Sequence, residues 1–436
     1  MPLRLLQHGD SEYPGLCAAW NAAIVHRPAY VAVAETAEQV AEAVDFAAQR
    51  GLRVRVQATG HGALRPATED DLLLVTSGMD TVAINGDTAL VGPGAKWKAV
   101  IDAAHPHGLA PLVGSTSDVG VVGYSLGGGL GFLARPFGLA AQAIVELQLV
   151  TADGEIRWVD DQRDPGLMAA LRGFGPNLGV VTALRTRLFP AAQLYAGSMM
   201  WPADLARDVL LAYRDWVATV PRELTSAVGV LHVPDAPFVP PPMRGQSVAR
   251  ICLCHPGPDH SGMDELLAPL RALPGLVMDL TGPMPSNRID EITADPTDPL
   301  PFMLRAEMLA GLSDEAIDYL AGISPRDAEP YLLWLVRHIG GAPQLDPGLA
   351  YAQGEFVAEA VSLAPGPDVA AAVQDFGGRF SAGLGAAATG YTPFNFAAGP
   401  DQIARAFTPE YGARLAETKR RLDPAGLFGG ERTLTA

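Results

Sequence analysis

The interpretation of this chain starts from one glycine-dense stretch, Gly114-Ser115-Thr116-Ser117-Asp118-Val119-Gly120-Val121-Val122-Gly123-Tyr124-Ser125-Leu126-Gly127-Gly128-Gly129-Leu130-Gly131. Glycine has no Cβ, so backbone amides can crowd around a phosphate and form an anion-binding nest. About fifty residues earlier, His61 stands among small residues in Val56-Gln57-Ala58-Thr59-Gly60-His61-Gly62. A histidine in such a loop, ahead of a glycine-rich one, predicts a site for a large phosphorylated cofactor. The simpler interpretation is a turn histidine and a tight loop without a ligand.

The composition is that of an ordinary globular protein. The chain has 436 residues, 48% of them hydrophobic and 18% charged, which is enough for roughly two to three domains. The formal net charge of -17 argues against a nucleic-acid partner, whose phosphates would be repelled. An acidic face would favour a cationic substrate, although solubility is the simpler explanation of the charge.

The three cysteines, Cys17, Cys252 and Cys254, are too few for a disulfide framework. The sequence Cys252-Leu253-Cys254-His255 suggests a metal site, but Ile251–Cys254 is typical of a strand that places both thiols on one buried face. No second ligand pair has the spacing of a zinc site, so we predict no metal.

Signals for secretion and for membrane insertion are both missing from the sequence. Residues 1–13 lack the basic start and the apolar core of a signal peptide. The uncharged runs Val119–Ala134 and Ser381–Pro400 contain glycines, polar residues and Pro393, which argue against membrane spans. We therefore expect a soluble, cytoplasmic protein without a membrane partner.

Helix and strand signals alternate between Tyr30 and Pro190. Thr36 and Gln39 form a capping box that starts a helix, and Gly51 ends it. Short elements follow one another, with a helix at Lys96–Ala104 and strands at Tyr30–Ala34, Leu52–Val56, Leu72–Thr76, Thr81–Ile84, Thr88–Val91, Glu146–Thr151 and Val180–Leu188. This mixture predicts an α+β fold, not a single doubly wound sheet.

A second region begins near Ala191. Proline-rich segments such as Pro234–Pro242 separate its apolar, alternating runs, which are Ser226–Val233, Val248–Cys254, Pro301–Leu309, Tyr331–Ile339 and Glu355–Leu363. This pattern predicts an antiparallel sheet with flanking helices that faces the substrate. The tail from Ile403 is helical and stops at Asp423-Pro424.

Two other classes of protein share parts of the glycine pattern. Gly123-Tyr124-Ser125-Leu126-Gly127 matches the nucleophile elbow of α/β-hydrolases, with Val119–Val122 as the preceding strand. A serine esterase of that class needs a catalytic histidine late in the chain, and the last histidine is His338. A Rossmann fingerprint opens a helix after a strand, and the glycines at 127–131 do not keep its spacing, although Glu146 is near the expected acidic position.

The sequence resembles the flavoproteins of the vanillyl-alcohol oxidase superfamily, in the branch of the berberine-bridge-enzyme-like and hydroxynicotine-oxidase-like proteins. The similarity is strong over residues 20–190 and loose in the middle of the chain. The stretches that carry it are Arg27-Pro28, Ala58-Thr59-Gly60-His61-Gly62, Gly92-Pro93-Gly94-Ala95-Lys96-Trp97, His107-Gly108-Leu109, Val119–Gly131, Leu171–Thr182, Phe394-Asn395-Phe396, Tyr411-Gly412 and Leu422-Asp423-Pro424.

This resemblance implies an α+β, two-domain FAD-binding fold with a split FAD domain. Residues 1–190 would form the FAD domain, residues 191–390 a central antiparallel-sheet substrate domain, and residues 391–436 a segment that returns to the FAD domain. FAD would be attached through His61 by a single covalent bond, because Thr116 stands where many relatives carry a second, cysteine linkage. A ring nitrogen attached to the flavin withdraws electron density and raises its reduction potential.

The resemblance also implies which residues hold the cofactor. Backbone amides of the two loops would hold the pyrophosphate and ribose, Val180 and Val181 would contact the adenine side, and Asn395 the isoalloxazine rim. The full set of implied cofactor-binding residues is Ala58, Thr59, Gly60, His61, Gly62, Gly114, Ser115, Ser117, Val119, Gly120, Gly123, Gly127, Val180, Val181 and Asn395. One family contact is in doubt, because Gln142-Ala143 replaces the usual acidic or amide pair.

The candidate catalytic residues lie in the run Tyr331–Ile339. Strand alternation places Trp334, Val336 and His338 on one face, and Tyr331, Leu333, Leu335 and Arg337 on the other. If the second face packs on helices, His338 points at the flavin, whereas the opposite packing offers Arg337 and Tyr331. Glu359 and Glu307 are weaker candidates for a base.

The function that follows is FAD-dependent oxidation of an alcohol or amine of a small or medium organic molecule. Val119 lies where relatives that react with oxygen often carry valine, which favours an oxidase with molecular oxygen as acceptor. The alanine-, glycine- and proline-rich composition suggests a high-GC bacterial gene, and hence a setting in secondary metabolism. The alternatives are a serine esterase and a protein that retains flavin without turnover.

Overall fold

A computed structural model describes residues 2–235, 239 and 244–429 of the chain. Three sheets and their flanking helices build the molecule, and the mixed α+β class predicted above is confirmed. No helix within these described residues is both long and apolar enough to cross a lipid bilayer.

The first sheet has four strands in the order β1-β2-β4-β3, where β2, β4 and β3 run parallel. The helix α2 packs on it and has the predicted ends: Thr36 Oγ1 accepts a hydrogen bond from the Gln39 amide, and Gly51 ends the helix with a φ of 67°. The elements up to this sheet are β1 (Arg4–Leu6), α1 (Tyr13–Leu16), β2 (Tyr30–Val33), α2 (Ala37–Arg50), β3 (Arg53–Gln57) and β4 (Asp71–Val75).

The second sheet is antiparallel and has the strand order β5-β6-β9-β7-β8. Its elements are β5 (Val82–Asn85), β6 (Thr88–Val91), α3 (Trp97–Ala104), α4 (Val121–Leu126), α5 (Ala134–Phe137), α6 (Ala140–Ala143), β7 (Ile144–Val150), β8 (Ile156–Asp160), α7 (Pro165–Phe174) and β9 (Val180–Arg187). The predicted strands in these two sheets are confirmed within one or two residues at each end, while β1 and β8 had no clear sequence signal.

The third sheet has eight antiparallel strands in the order β13-β10-β12-β11-β16-β17-β15, with β14 also paired to β10. Its elements are β10 (Gln193–Pro202), α8 (Ala206–Val217), β11 (Thr225–His232), β12 (Ser247–Pro256), α9 (Met263–Arg271), β13 (Met278–Asp279), β14 (Gly282–Pro285), β15 (Phe302–Leu309), α10 (Asp314–Gly322), β16 (Leu333–His338), β17 (Phe356–Leu363) and α11 (Pro367–Gly383). The antiparallel sheet predicted for this region is confirmed, although β10, β13 and β14 were not predicted.

The two faces of this third sheet have different neighbours. Trp334 and Val336 of β16 pack in one core with residues of α8, α9, α10 and α11, so we call this the helix face. Cys252 and Cys254 of β12 point the other way, into a core shared with the second sheet. This second face, the loop face, is turned toward the glycine-rich residues 114–131. The prediction that both thiols share one buried face is confirmed.

The C-terminal helices α12 (Pro400–Ile403) and α13 (Pro409–Leu422) lie against the N-terminal part of the chain. Tyr411 donates a hydrogen bond to the Ala169 carbonyl, and Lys419 donates to the Asn177 carbonyl. Leu427 and Phe428 enter the core beneath α2. The domain boundaries at residues 190 and 390 stay predictions.

Candidate active site

The loop that carries His61, residues 58–62, follows β3 and precedes the segment that leads to β4. It is hydrogen-bonded to Trp20 and Asn21 of the N-terminal segment. The amides of Trp20 and Asn21 donate to the carbonyls of Thr59 and Gly60 at 3.0 and 3.3 Å. Gly60 has a φ of 77°, and an added Cβ would lie 2.7 Å from Ala19. Only glycine satisfies both the left-handed backbone and this close approach. We call this segment the histidine loop.

The His61 side chain is oriented by its neighbours on two sides. Its ring stacks on that of Trp20, with a centroid distance of 4.3 Å and an interplanar angle of 14°. Its Nδ1 lies 2.9 Å from Thr59 Oγ1. Its Nε2 is buried, has no hydrogen-bond partner in the described part of the chain, and lies 4.0 Å from Asp118 Oδ2.

The His61 imidazole is held in its neutral form. Burial lowers its pKa to about 4, and the nearby Lys96 acts in the same direction, against the opposing effect of Asp118. Lys96 also binds Asp118 directly, at 2.5 Å from Nζ to Oδ1. A neutral ring keeps a nitrogen lone pair at physiological pH, and that lone pair is what bond formation to an electrophilic carbon requires.

The glycine loop, residues 114–131, meets the histidine loop at Gly120, where an added Cβ would lie 3.6 Å from Thr59 Cγ2. Two groups of amides around this meeting point donate no hydrogen bond to any described residue: Thr59, Gly60 and Gly62 in one loop, and Ser115, Thr116 and Val119 in the other. Unpaired amides that converge from two loops fit an anionic group such as a pyrophosphate. The residues present therefore fit FAD.

The Ser117 amide is an exception among the predicted contacts. It donates to Asp290 Oδ1 at 2.7 Å, and the Ser117 hydroxyl donates to the other oxygen of the same carboxylate. Asp290 belongs to the segment 286–302, which crosses from the glycine loop to Trp20 and which we call the strap. With its amide paired in this way, Ser117 anchors the glycine loop on the strap, and its amide is already used within the protein.

The other end of the glycine loop is closed by the C-terminal segment. Asn395 Nδ2 donates to the Tyr124 carbonyl at 3.1 Å, at the end of α4. An added Cβ on Gly127 would lie 1.6 Å from Asn395 Oδ1, so a larger residue there would displace the Asn395 side chain. Gly114 faces the Tyr124 ring, 3.0 Å from an added Cβ. Gly123, in contrast, borders open space, because an added Cβ would meet nothing within 4 Å.

The adenine-side residues lie deeper than the loops. Val180 and Val181 begin β9 and are 1% and 4% exposed. Their side chains point into two different cores, one under α2 and the other under α7. A contact from either residue to the cofactor would therefore use the backbone.

The loop face of the third sheet supplies the charged groups opposite the loops. Arg337 Nε donates to Glu359 Oε1 at 2.7 Å, and the side chains are 12% and 3% exposed. Arg250 is 2% exposed and donates to the Thr293 carbonyl of the strap at 3.1 Å. Thr293 in turn donates to the Ser115 carbonyl at 3.0 Å, which joins this face to the glycine loop.

The three predicted catalytic residues are not brought together. Arg337 lies on the loop face, while His338 stacks on Phe356 at 5.0 Å toward the helix face. Burial, with a contribution from Arg135, lowers the pKa of His338 to about 4. Tyr331 precedes β16, which begins at Leu333, so strand alternation does not extend to it.

Tyr331 is a structural residue of the helix face. Its hydroxyl donates to the Ile323 carbonyl at 2.9 Å, and its ring stacks on Phe376 of α11 at 5.8 Å. The weaker candidate Glu307 is bound by Arg405 at 2.7 Å and also lies away from the loops. Glu359 is thus the carboxylate that accompanies Arg337 on the loop face.

Several residues of the site were missed in the sequence, namely Trp20, Asp118, Asp290, Arg250 and Thr293. Trp20 is separated from His61 by forty-one positions and carries no motif of its own. Arg250 had a usable signal, because it alternates with Cys252 and Cys254 on the face predicted to be buried. A buried arginine is rare enough to suggest a binding site.

The nucleophile-elbow interpretation is wrong. Val119–Val122 would have to be a strand, but α4 begins at Val121. Ser125 lies inside this helix, is 0% exposed, and its hydroxyl has no hydrogen-bond partner among the described residues. An elbow serine is exposed and is hydrogen-bonded to a histidine.

Comparison with known proteins agrees with this geometry. Residues 28–160 match the family model of an FAD binding domain. The (R)-6-hydroxynicotine oxidase of Paenarthrobacter nicotinovorans is 27% identical over 456 aligned positions, which cover 96% of this chain and 93% of that protein.

Two solved structures share the fold. 6-Hydroxy-D-nicotine oxidase from Arthrobacter nicotinovorans superimposes with a TM-score of 0.84 at 23% identity, over 98% of this chain and 96% of the other. BBE-like 1 from Physcomitrella patens superimposes with a TM-score of 0.85 at 21% identity, over 100% and 97%. The chain therefore contains an FAD binding domain, is homologous to 6-hydroxynicotine oxidase and shares the fold of that enzyme and of the BBE-like protein, in agreement with its resemblance to the vanillyl-alcohol oxidase superfamily.

Proposed function

We propose that the protein oxidises an alcohol or amine carbon of a small or medium organic molecule, with molecular oxygen as the final acceptor. Bound FAD supplies the chemistry by accepting a hydride from the substrate carbon and passing electrons on to oxygen. The observation that carries the proposal is the buried, neutral His61 with an unpaired Nε2, set between two loops with free amides.

In this proposal FAD is attached by one covalent bond, through Nε2 of His61. Nδ1 is next to Thr59 Oγ1, which leaves Nε2 as the ring nitrogen without a partner among the residues described. Trp20 supports the ring from one side, so the imidazole is presented in one orientation. Thr116 has no thiol, and its hydroxyl accepts a hydrogen bond from the Asp118 amide at 3.4 Å. A second linkage from this position is therefore not expected.

The substrate would bind between the two loops and the loop face of the third sheet. Trp20 makes an edge contact with Phe302 of β15 at 5.8 Å, so the histidine loop reaches one end of this sheet. Arg337 and Glu359 lie toward its centre and provide fixed polar groups for orienting a substrate. Hydride transfer from an amine proceeds without a protein base, and we assign none.

The cofactor linkage is tested by denaturing the purified protein in acid. Yellow colour should remain on the wild-type polypeptide and be lost from His61→Ala. His338→Ala is the matched control, because His338 lies away from the loops and should leave the colour in place. Colourless wild type would contradict the covalent bond, and a coloured His61→Ala would place the bond elsewhere.

Turnover is tested separately, by mixing the oxidised protein with candidate alcohols and amines under anaerobic conditions. Bleaching of the flavin absorbance, followed by recovery on admitting oxygen, is the expected result. If no candidate reduces the flavin although it is bound, the alternative of a flavin-retaining protein without turnover is favoured.

The biological setting is proposed on composition and on thiol state. All three cysteines are free and buried, which suits a reducing cytoplasm. Arginine greatly outnumbers lysine and alanine is abundant, as in high-GC bacteria, where a role in secondary metabolism is plausible. Comparison of the metabolites of a deletion strain and its parent would test this setting.

A further inference from the structure

Strand register puts two arginines close together on the loop face. In the row that crosses the sheet at Gly229, Arg250 is paired on one side and Leu335 on the other. Two residues along β11, in the next row on the same face, Ala227 lies between Cys252 and Arg337. The central strand β11 therefore contributes only small side chains between the two arginines. The two arginines thus lie on one buried patch of the loop face, where the Leu335 side chain covers Gly229, and we call Arg250 and Arg337 the arginine pair.

The two guanidinium groups are anchored at one end and leave hydrogen-bond donors unused. Arg337 is tied through Nε to Glu359, and its two terminal nitrogens donate to no residue in the described ranges. Arg250 is tied through Nη1 to the Thr293 carbonyl, and its buried Nε has no partner there. An arginine fixed through one nitrogen presents its remaining fork with little loss of conformational entropy.

The charges around the arginine pair do not balance locally. Among the described residues, Glu359 is the carboxylate within 4.0 Å of Arg337, and none of them places a carboxylate within 4.0 Å of Arg250. Asp295 of the strap interacts electrostatically with Arg337 but lies beyond ion-pair distance and is partly exposed. Tyr124 is the other titratable neighbour of Arg337, and burial raises its pKa, so it stays neutral. One buried positive charge is therefore left without a close counter-ion.

We propose that this arginine pair binds a carboxylate group of the substrate, with Arg337 as the direct contact and Arg250 as the source of the additional positive field. This inference rests on the proposed function, since it names the substrate class of the same site. A planar carboxylate matches the two terminal nitrogens of one guanidinium group. The centroid of the buried Phe132 ring lies 5.9 Å from the guanidinium carbon of Arg337, so apolar surface adjoins this charge.

The experiment compares benzoate with benzamide, a neutral molecule of the same shape, as ligands of the flavin-loaded protein. Binding is followed by the change in the visible absorbance of the flavin and does not require turnover. We expect benzoate to bind at least about tenfold more tightly than benzamide, a difference of about 1.4 kcal/mol. Added salt should weaken the binding of benzoate and leave the binding of benzamide unchanged.

Variants test whether the effect comes from the arginine pair. Arg337→Gln should weaken benzoate binding about tenfold or more, to the affinity of benzamide. Arg250→Gln should weaken benzoate binding severalfold. Arg305→Gln is the matched control, because Arg305 lies on the opposite face of β15, where it pairs with Asp401. It should leave benzoate binding unchanged. If Arg250→Gln does not fold, the proposal is still decided by the affinities of the wild-type protein and of Arg337→Gln for benzoate and benzamide.

Equal affinity for benzoate and benzamide, or unchanged benzoate binding in Arg337→Gln, would overturn the proposal. A lowered midpoint potential in Arg337→Gln with unaltered benzoate binding would also overturn it, and would assign the arginine to the reduced flavin. Protein that carries no flavin would instead count against the proposed function. Protection of that same protein from thermal unfolding by benzoate, but not by benzamide, would then still support carboxylate binding by the arginine pair.

Discussion

At the scale of single residues, the chemistry of His61 is set by groups that have no motif in common with it. Burial keeps the imidazole neutral, Thr59 engages one ring nitrogen, and Trp20 covers one ring face. Stacked aromatic pairs contribute about 0.5–1.5 kcal/mol beyond their buried area, which is enough to populate one ring orientation strongly. The structure therefore holds in one orientation the imidazole that we propose as the attachment point of FAD.

This orientation leads to a prediction for Trp20. Replacing it by alanine removes the stacked surface and frees the His61 ring, so the fraction of FAD attached covalently should fall severalfold. Trp20→Phe keeps a ring over His61 and should stay close to wild type. The measurement is the flavin that remains with the polypeptide after acid precipitation, relative to the total bound before it. Full attachment in a folded Trp20→Ala protein would show that the stack has no role in orientation.

At the scale of elements, the glycine loop is held by contacts from parts of the chain that are distant in sequence. The strap fixes Ser117 through Asp290, and the C-terminal segment places Asn395 against Gly127 at the end of α4. The short helix α4 has six residues, too few to be stable by itself. Its position therefore depends on these two flanking contacts.

The contact between Gly127 and Asn395 can be tested with a double-mutant cycle. Gly127→Ala introduces a Cβ at 1.6 Å from Asn395 Oδ1 and should destabilise the protein by about 1–3 kcal/mol. Asn395→Ala makes room for that methyl group, so the double variant should lose less than the sum of the two single losses. Denaturant unfolding measures each change. Additive losses would mean that Asn395 does not determine the space at Gly127.

At the scale of the whole molecule, buried histidines make the stability depend on pH. Burial lowers the pKa of His232 and of His338 to about 4, with further lowering by Arg326 and Arg135 respectively. Both histidines bind a proton at about pH 6.5 in the unfolded chain, so the unfolded state binds more protons between these values. Their contribution to stability is therefore complete above about pH 6.5 and is lost as the pH falls toward 4.

The expected result is a lower melting temperature at pH 5 than at pH 7, from a loss on the order of 1–2 kcal/mol for each histidine. Carboxylates with lowered pKa values, such as Asp279, lose their contribution only at more acidic pH. The double variant His232→Gln/His338→Gln should show a smaller change between the two pH values, and the remainder comes from His26, His61 and His255, whose pKa values are also lowered by burial. If the melting temperature of the double variant fell as much between pH 7 and pH 5 as that of the wild-type protein, groups other than these two histidines would control the pH dependence.

The parts of the fold and site that could be predicted are those with local causes. The capping residues of α2, the alternation in β12 and the glycines of both loops act through neighbours a few positions away, so the sequence indicates them directly. The same is true of His61, because its loop needs small residues wherever the rest of the chain lies. The strands β10 and β13 were missed, since their pairing depends on strands far along the chain.

The sequence by itself therefore determined the α+β class, the histidine loop, the glycine loop and the resemblance to FAD-linked oxidoreductases. Only the tertiary structure decided which face of β16 meets the loops, and hence that Arg337 lies there while His338 does not. It also decided that Trp20 covers His61, that Asp290 engages Ser117 and that Arg250 lies across β11 from Arg337. These contacts join segments distant in sequence, and they depend on strand register and sheet packing, which local residue patterns do not encode.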